Sequence, residues 1–393
     1  MSNNELALMP GAAEAAEGTI KIGVAVTLAE KREIYRFRYQ IYIEEMSKHL
    51  PEVDYENMQL HDDMDEWSTL LYAKIGSKII ATKRITIGTI GDFSPEIIDF
   101  LSLETFAKNN SMPSQQEFAF ITKVMVSPVY RSSPALYLLM AKAYEICCHN
   151  HIQFIFGISH FHLLSLYEQI GCRRYYKNFF LPNNGLAVPI VLLTDDVEYL
   201  RKVRSPIFRI ARKRKHLNTP ACKWFESTFT NKSDIVNSQL VNPEELWSIL
   251  CKQLQSPPTA VIPLLHELSD AEAKKFLHSC GIFVQCNPGD LITFQGDISY
   301  SYNILISGKL KSLTFIRPTK EYTTPGQTFG ANGLTEHNKH TEDIAAIGVA
   351  ELLVLSGLSF QKFTRTHPDI AHKIIQTTLK LTSRNPSKAD RPS

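Results

Sequence analysis

The run His61-Asp62-Asp63-Met64-Asp65-Glu66 puts four carboxylates into six residues, just ahead of an apolar stretch. Carboxylates so placed can hold a cationic group or take a proton from an amine nucleophile; they can equally form a solvated loop. Asp62 and Asp65 are the candidates, and Glu117, heading a later apolar run, is a third. Arg38, within YRFRYQ, can position a substrate or pair with Glu44 or Glu45. His160 and His162 alternate beside a strand end, a pattern of pocket-lining or exposed imidazoles. Cys147, Cys148, His149 and His151 cluster, but no second CxxC or HxxxH completes a four-ligand set, so the reading is a packed helix end and no metal is expected. The densest charge lies elsewhere. Residues 201–216 carry eight basic and no acidic side chains, whereas residues 1–200 carry 17 basic against 24 acidic. The whole-chain charge of +2 hides this split.

The elements that must position these residues follow from periodicity. Residues 19–26 are β-rich, and 29–46 place apolar residues at helical spacing. Residues 68–88 read as strand, Gly-Ser turn and strand, a hairpin. Residues 118–128 form a strand stopped by Pro128, and 134–150 a helix with proline in its first turn. A strand at 153–159, a helix at 160–171 closed by Gly171 and two further strands complete an α/β sheet with helices on its faces. A helical connection at 199–256 contains the basic run and a helix at 242–255 capped by Asn242. From 257 the pattern changes to a short helix capped by Ser269, then many short β runs with glycine turns, an antiparallel roll or barrel. A helix at 367–384 ends the folded part; residues 1–18 and 385–393 read as a disordered leader and tail.

With 393 residues, 44% hydrophobic and 21% charged, the chain is globular and long enough for more than one core. Seven cysteines in no disulfide pattern point to free thiols and a cytoplasmic setting. No apolar run is long enough to span a bilayer. Ile207, Phe208 and Ile210 beside the basic residues suggest a surface-lying segment facing an acidic carrier protein, anionic lipid on the inner membrane face, or the chain's own acidic domain.

FITKVMVSPVYRSSPALYLLMAKAYE (120–145) resembles the acyl-thioester-binding signature of the GNAT N-acyltransferase superfamily, and LYEQIGCRRY (166–175) its later tyrosine motif. The front half is similar to long-chain N-acyl amino acid synthases and acyl-homoserine-lactone synthases. The carrying positions are Arg38, Glu44 and Glu45, then Asp62 and Asp65, then Arg84. The resemblance covers about 180 residues. It implies a GNAT-like mixed sheet over 19–198 and transfer of a fatty acyl group from a thioester to an amine. Such transfer needs an uncharged amine, donors aimed at the developing oxyanion and an acid for the thiolate. The resemblance implies Tyr167 as the acid and Asp62, Asp65 and Glu117 as carboxylates for the amine. Arg38 and Arg84 would position the substrate, and Val124, Val126, Arg131, Ser132, Ser133 and Ala135 would bind the donor, with phosphate at the helix N-terminus. Two departures stand out. The R-x-x-G-x-G/A pattern implied by the resemblance reads Arg131-Ser132-Ser133-Pro134-Ala135-Leu136, without either glycine, which mildly favours the phosphopantetheine of an acyl carrier protein over the pyrophosphate of coenzyme A. The lactone synthases' strand Glu and Arg are Phe120 and Lys123 here, and Glu117, three residues earlier, faces the other side.

Residues 257–384 resemble a cyclic nucleotide-binding domain through PGDLITFQGD (288–297), SGKL (307–310) and TPGQTFG (324–330). The resemblance implies a nucleotide pocket at Gly330, Ala331, Asn332 and His340. The family's ribose-binding Glu is Ala331, and its phosphate-binding Arg falls near His340. A degenerate domain serving dimerisation, scaffolding or another ligand is therefore expected, with cAMP or cGMP binding as the alternative. The fold class expected is thus an α/β GNAT-like sheet, a helical linker over 199–256 and an all-β roll. The function expected is an N-acyltransferase using acyl carrier protein or acyl-CoA and an amino acid or peptide amine. The alternative is a cyclic-nucleotide-regulated lysine acetyltransferase or an inactive sensor, with homodimerisation left open. No helix-turn-helix follows the roll, so nucleic acid is not an expected partner.

Overall fold

A computed structural model describes residues 18–108, 116–131, 133–181, 185–229, 236–237, 239–314 and 320–384. Ser132, nearly all of the leader and the tail lie outside the described residues. The chain divides into two compact units. The first comprises Met1–Gly157, Val191–Val197 and Pro206–Cys222; the second comprises Ile158–Ile190, Glu198–Ser205 and Lys223–Ser393.

The strands β1 (Lys21–Val24), β2 (Thr69–Ile75), β3 (Lys78–Thr89), β4 (Glu117–Val126), β5 (Phe154–Ser159), β6 (Arg173–Arg174), β7 (Phe179–Leu181) and β8 (Gly185–Leu193) form a mixed sheet. Its order is β1-β2-β3-β4-β5-β8-β6, with β7 paired to β8. The hairpin of β2 and β3 turns at Gly76, whose φ of 60° suits glycine. Helix α1 (Leu28–Tyr39) starts at a Thr27–Glu30 capping box. Its Ile34, Tyr35 and Phe37 pack with Leu70, Ile79 and Met125. The spacing led us to expect one helix to residue 46; instead it widens into a π-helical turn at Gln40–Glu45. Helix α2 (Ala135–His149) packs on β2, β3 and β4. Pro134 occupies its cap position, one residue before the first turn. Lys83 Nζ reaches Met140 of α2, so its neighbour Arg84 projects from the opposite face of β3.

The second unit contains α3 (Leu164–Ile170), preceded by a 3-10 turn at Phe161–Leu163 and closed by Gly171 at φ 117°. It also holds the all-β roll. One sheet of the roll joins β9 (Gly281–Cys286), β16 (Ala350–Ser356), β11 (Ser301–Ser307) and β14 (Thr328–Phe329) in that order. The other joins β10 (Leu291–Thr293), β15 (Ile344–Ala346), β12 (Leu310–Ser312) and β13 (Glu321–Tyr322). Gly308, at φ 88°, could carry no side chain, because a Cβ would lie 2.4 Å from the Val349 carbonyl. Helices α4 (Pro243–Leu254), α5 (Asp270–Cys280), α6 (Gly357–Thr366) and α7 (Pro368–Arg384) flank the roll. The Asn242 and Ser269 caps are both reciprocal capping boxes. Leu246, Leu250 and Leu254 of α4 join Phe276, Leu353 and Phe360 in one core, so the last helix of the 199–256 connection is built into the roll.

The basic run forms helical turns at Val197–Lys202 and Phe208–Ala211. Ile207 is buried, and Phe208 and Ile210 are half-buried. Arg214 pairs with Asp195 and donates to the Thr194 carbonyl at 2.8 Å. Part of this apolar and basic segment is therefore spent on internal packing.

Candidate functional site

The first unit gathers Arg38, Asp62, Asp65, Arg84 and Lys123 into one ionic cluster. Arg38, fully buried on α1, donates from NH1 to Asp65 Oδ2 at 2.7 Å. Arg84, 3% exposed on β3, pairs with Asp62, lies 3.2 Å from Asp65 Oδ1, and donates from Nε to Thr122 Oγ1 at 2.8 Å. Lys123 Nζ stands 3.4 Å from Asp62 Oδ2 and 5.5 Å from the centre of the Tyr42 ring. The acidic run forms a 3-10 turn, Asp63–Glu66, in which Asp62 and Asp65 cap each other's backbone. That turn aims both carboxylates at the arginines, so this loop is not a solvated one.

Three cations face two carboxylates. Burial opposes the charge on Asp65, but the Arg38 hydrogen bond and the two guanidinium charges outweigh it and hold its pKa below the ordinary carboxylate range. A carboxylate so held is a poor proton acceptor and a good anchor. Burial pulls the Lys123 ammonium below its usual value, with Asp62 working the other way. Lys123 also has φ 50° at a bulge, where Thr82 lies opposite Met125 while Arg84 lies opposite Thr122. One extra residue in β4 there turns Lys123 toward the cluster.

The bulge marks a change in the strand. The parallel ladder from β4 to β5 runs from Ala119–Ile155 to Ile121–Gly157 and stops. Beyond it, Thr122–Val126 pair with β3 alone among the described residues. Val124 and Val126 are half-buried on this edge. An extended ligand arm could add to that edge as a strand would. At its end, Arg131 pairs with Glu45 and donates from Nε to the Val126 carbonyl at 3.4 Å. Ser133 Oγ accepts from the Ala135 N–H, so a side chain already occupies one donor at the start of α2. Glu45 Oε2 is buried with no hydrogen-bond partner.

Other expected positions fall elsewhere. Glu117 is exposed at the first residue of β4, six residues from Lys123, a span of about 20 Å along a strand. It does not join the cluster. Tyr167 is half-buried on α3 in the second unit. His160 and His162 stack at 5.9 Å, and burial pushes His162 down to about 3, so its ring is neutral near pH 7. Cys147 sits at the buried end of α2, its thiol pushed up to about 12 by burial. Among the described residues no group of three or more His, Cys, Asp or Glu could hold a metal. Sequence reasoning overlooked Lys123 and Glu45 as site residues. Both stood in its motifs, Lys123 where the lactone synthases carry arginine and Glu45 in the pair after Arg38.

In the roll, Gly330 has φ 73°, and the Ala331 N–H donates to His340 Nδ1 at 3.0 Å. A Cβ on Gly330 would lie 3.1 Å from the His340 ring. Asn332 is occupied by Thr335 and the Leu334 N–H. Burial lowers the His340 pKa, partly offset by Asp297, so the ring acts as a neutral acceptor. The Glu342 carboxylate accepts from Tyr322 at 2.5 Å. His340 thus covers one end of the loop with its own imidazole.

Residues 37–141 match the family model of the acetyltransferase (GNAT) domain. That stretch is a GNAT-type domain. In this GNAT domain the matched segment contains the whole ionic cluster and Arg131. The chain is also similar to FeeM, an N-acyl amino acid synthase from uncultured soil microbes: 12% identity, 49% of this chain and 98% of that one, TM-score 0.37. A cyclic nucleotide-binding domain from Methylobacillus flagellatus is 18% identical over 36% of this chain and 77% of its own, TM-score 0.28. A cyclic nucleotide-gated channel of Caenorhabditis elegans is 24% identical over 171 residues, 41% of this chain. The chain spans only 23% of that channel's length.

Proposed function

We propose that this protein transfers a fatty acyl chain from the phosphopantetheine thioester of an acyl carrier protein to the amine of an amino acid, and that the roll is a scaffold. The unpaired edge of β4 beside a cluster with one cation in excess carries the reading. The edge suits the amide groups of a pantetheine arm, and Lys123, 15% exposed, suits the carboxylate of an amino acid acceptor. Arg131, already held by Glu45, has little capacity left for a pyrophosphate, which supports a carrier-protein donor over coenzyme A. In the reaction the neutral amine attacks the thioester carbon, the tetrahedral intermediate collapses, and the C–S bond breaks. Tyr167 donates its proton to the departing thiolate, and Glu45 or a water chain takes the proton from the amine. Arg38, Asp62, Asp65 and Arg84 hold the acceptor side in place. The basic residues left exposed in 201–216 suit the acidic surface of a carrier protein, in preference to a membrane surface.

The test incubates purified protein with long-chain acyl carrier protein and amine pools, with acyl-CoA in parallel, and follows acylated products by mass spectrometry. Product from the carrier protein, and a loss of about 10²-fold or more in kcat for Tyr167→Phe, is expected. No product from any donor, or full activity in Tyr167→Phe, sinks the mechanism.

A further inference from the structure

We infer that the β-roll helps to position Tyr167, with Arg174 as the residue that ties the Tyr167 helix to the roll. This rests on Tyr167 being the acid proposed above. Residues 158–190 and the roll belong to the same compact unit, and the bonds that join them converge on α3.

Arg174 stands at the centre. Its side chain is 5% exposed, and each guanidinium nitrogen donates. Nε reaches Glu168 Oε1 at 2.7 Å, one residue from Tyr167. NH1 reaches the Phe283 carbonyl of β9 at 2.6 Å, and NH2 reaches the Val236 carbonyl at 3.0 Å. The planar fork thus spans the helix, the roll and the segment entering α4. The start of the helix is held separately. Ser356 of β16 donates to the His162 carbonyl at 2.7 Å, and Ser165 and Ser359 hydroxyls meet at 3.3 Å. The His162 ring stacks on Tyr300 of the roll at 5.1 Å, and Tyr300 contacts His337 at 5.0 Å, in the loop that His340 closes. Farther on, Asn178 donates to the Gln285 carbonyl and to Asp290, both at 2.9 Å.

A helix of seven residues has too few internal hydrogen bonds to hold its own direction. What grips its ends sets where its side chains point, and here the roll grips both ends. The roll is in this sense structural to the Tyr167 helix, and a change in the loop at His337 has a route of packed rings to the start of α3.

The experiment uses the full chain. Arg174→Lys keeps the charge and removes the fork. Amide exchange over residues 164–171 should rise about tenfold or more while that of β4 stays unchanged. The kcat per folded enzyme, with the folded fraction fixed by circular dichroism and urea unfolding, should fall about tenfold with the donor KM unchanged; a loss of folded protein alone would leave this normalised kcat unaltered. Tyr300→Ala perturbs the system from the roll side and should raise exchange over residues 160–167. Unchanged exchange over these segments in both variants overturns the inference, whatever the activity. Raised exchange with unaltered kcat in Arg174→Lys overturns the positioning role. If Arg174→Lys does not fold, the Tyr300→Ala exchange and kcat decide by the same criteria. If the wild-type protein transfers no acyl group, the proposed function fails, and exchange alone decides whether the roll holds the helix.

Discussion

The cluster around Asp65 and the loop around His340 use similar polar residues and reach opposite states. Around Asp65, two carboxylates meet three cations, and Arg38 Nε and NH2 stay buried without a hydrogen-bond partner. Around His340, the available N–H of Ala331 is met by a ring from the same loop, and Asn332 spends its amide on its neighbours. Buried polar groups must be paired, so surplus capacity marks where a ligand can still be accommodated, and internal pairing marks where one is replaced. The difference argues for a working first site and a closed second one, although both descend from recognisable motifs.

The sharpest way to break this contrast is at Arg38. Arg38→Met leaves the buried Asp65 with the Asp62 N–H at 3.0 Å and the 3.2 Å contact to Arg84, and should destabilise the fold by about 3 kcal/mol, measured by urea unfolding. Arg38→Met combined with Asp65→Asn should recover part of that loss, because no uncompensated carboxylate remains. The pH dependence supplies a sign. The folded Asp65 pKa is depressed, so its stabilisation is fully present above the unfolded carboxylate range near pH 4 and is lost as pH falls through the folded value. The stability gap between wild type and Asp65→Asn should therefore be constant near neutrality and shrink below about pH 4. A gap that persists in acid would show that Asp65 contributes by shape alone.

A smaller effect tests the excess cation. Lys123→Met removes the one cation of the cluster with appreciable exposure and should raise the KM for a carboxylate-bearing acceptor about tenfold, with kcat nearly unchanged. An equal effect on an acceptor amine lacking a carboxylate would assign Lys123 to packing against Tyr42 instead.

The sequence made the elements legible where patterning and caps agree. The hairpin at Gly76, the capping boxes at Asn242 and Ser269 and the Gly171 stop all lie where composition placed them. The cluster was half legible. Arg38, Asp62, Asp65 and Arg84 were named together from the family resemblance, but their mutual pairing depends on the facing of β3 and on the capped turn at 63–66, which motifs do not encode. Lys123 escaped because strand alternation presumes a regular ladder, and the bulge breaks it. The attachment of residues 158–190 to the roll was invisible, since Arg174 bonds to backbone carbonyls that carry no sequence signature.

The smallest expected effect concerns the closed site. His340→Ala strands the Ala331 N–H and should cost about 1 kcal/mol, measured by thermal or urea unfolding. Titration calorimetry of the wild-type chain with cAMP or cGMP should give no heat, because Ala331 offers no carboxylate to a ribose hydroxyl and its N–H is already taken. His340→Arg is the discriminating variant. It frees the N–H and supplies a bidentate donor for a cyclic phosphate, so weak binding should return if the imidazole is what closes the loop. Heat from the wild-type chain would reverse the comparison, since the ring would then be a gate that ligand displaces. Silence in His340→Arg would mean that the missing carboxylate at Ala331 closes the site regardless of the ring.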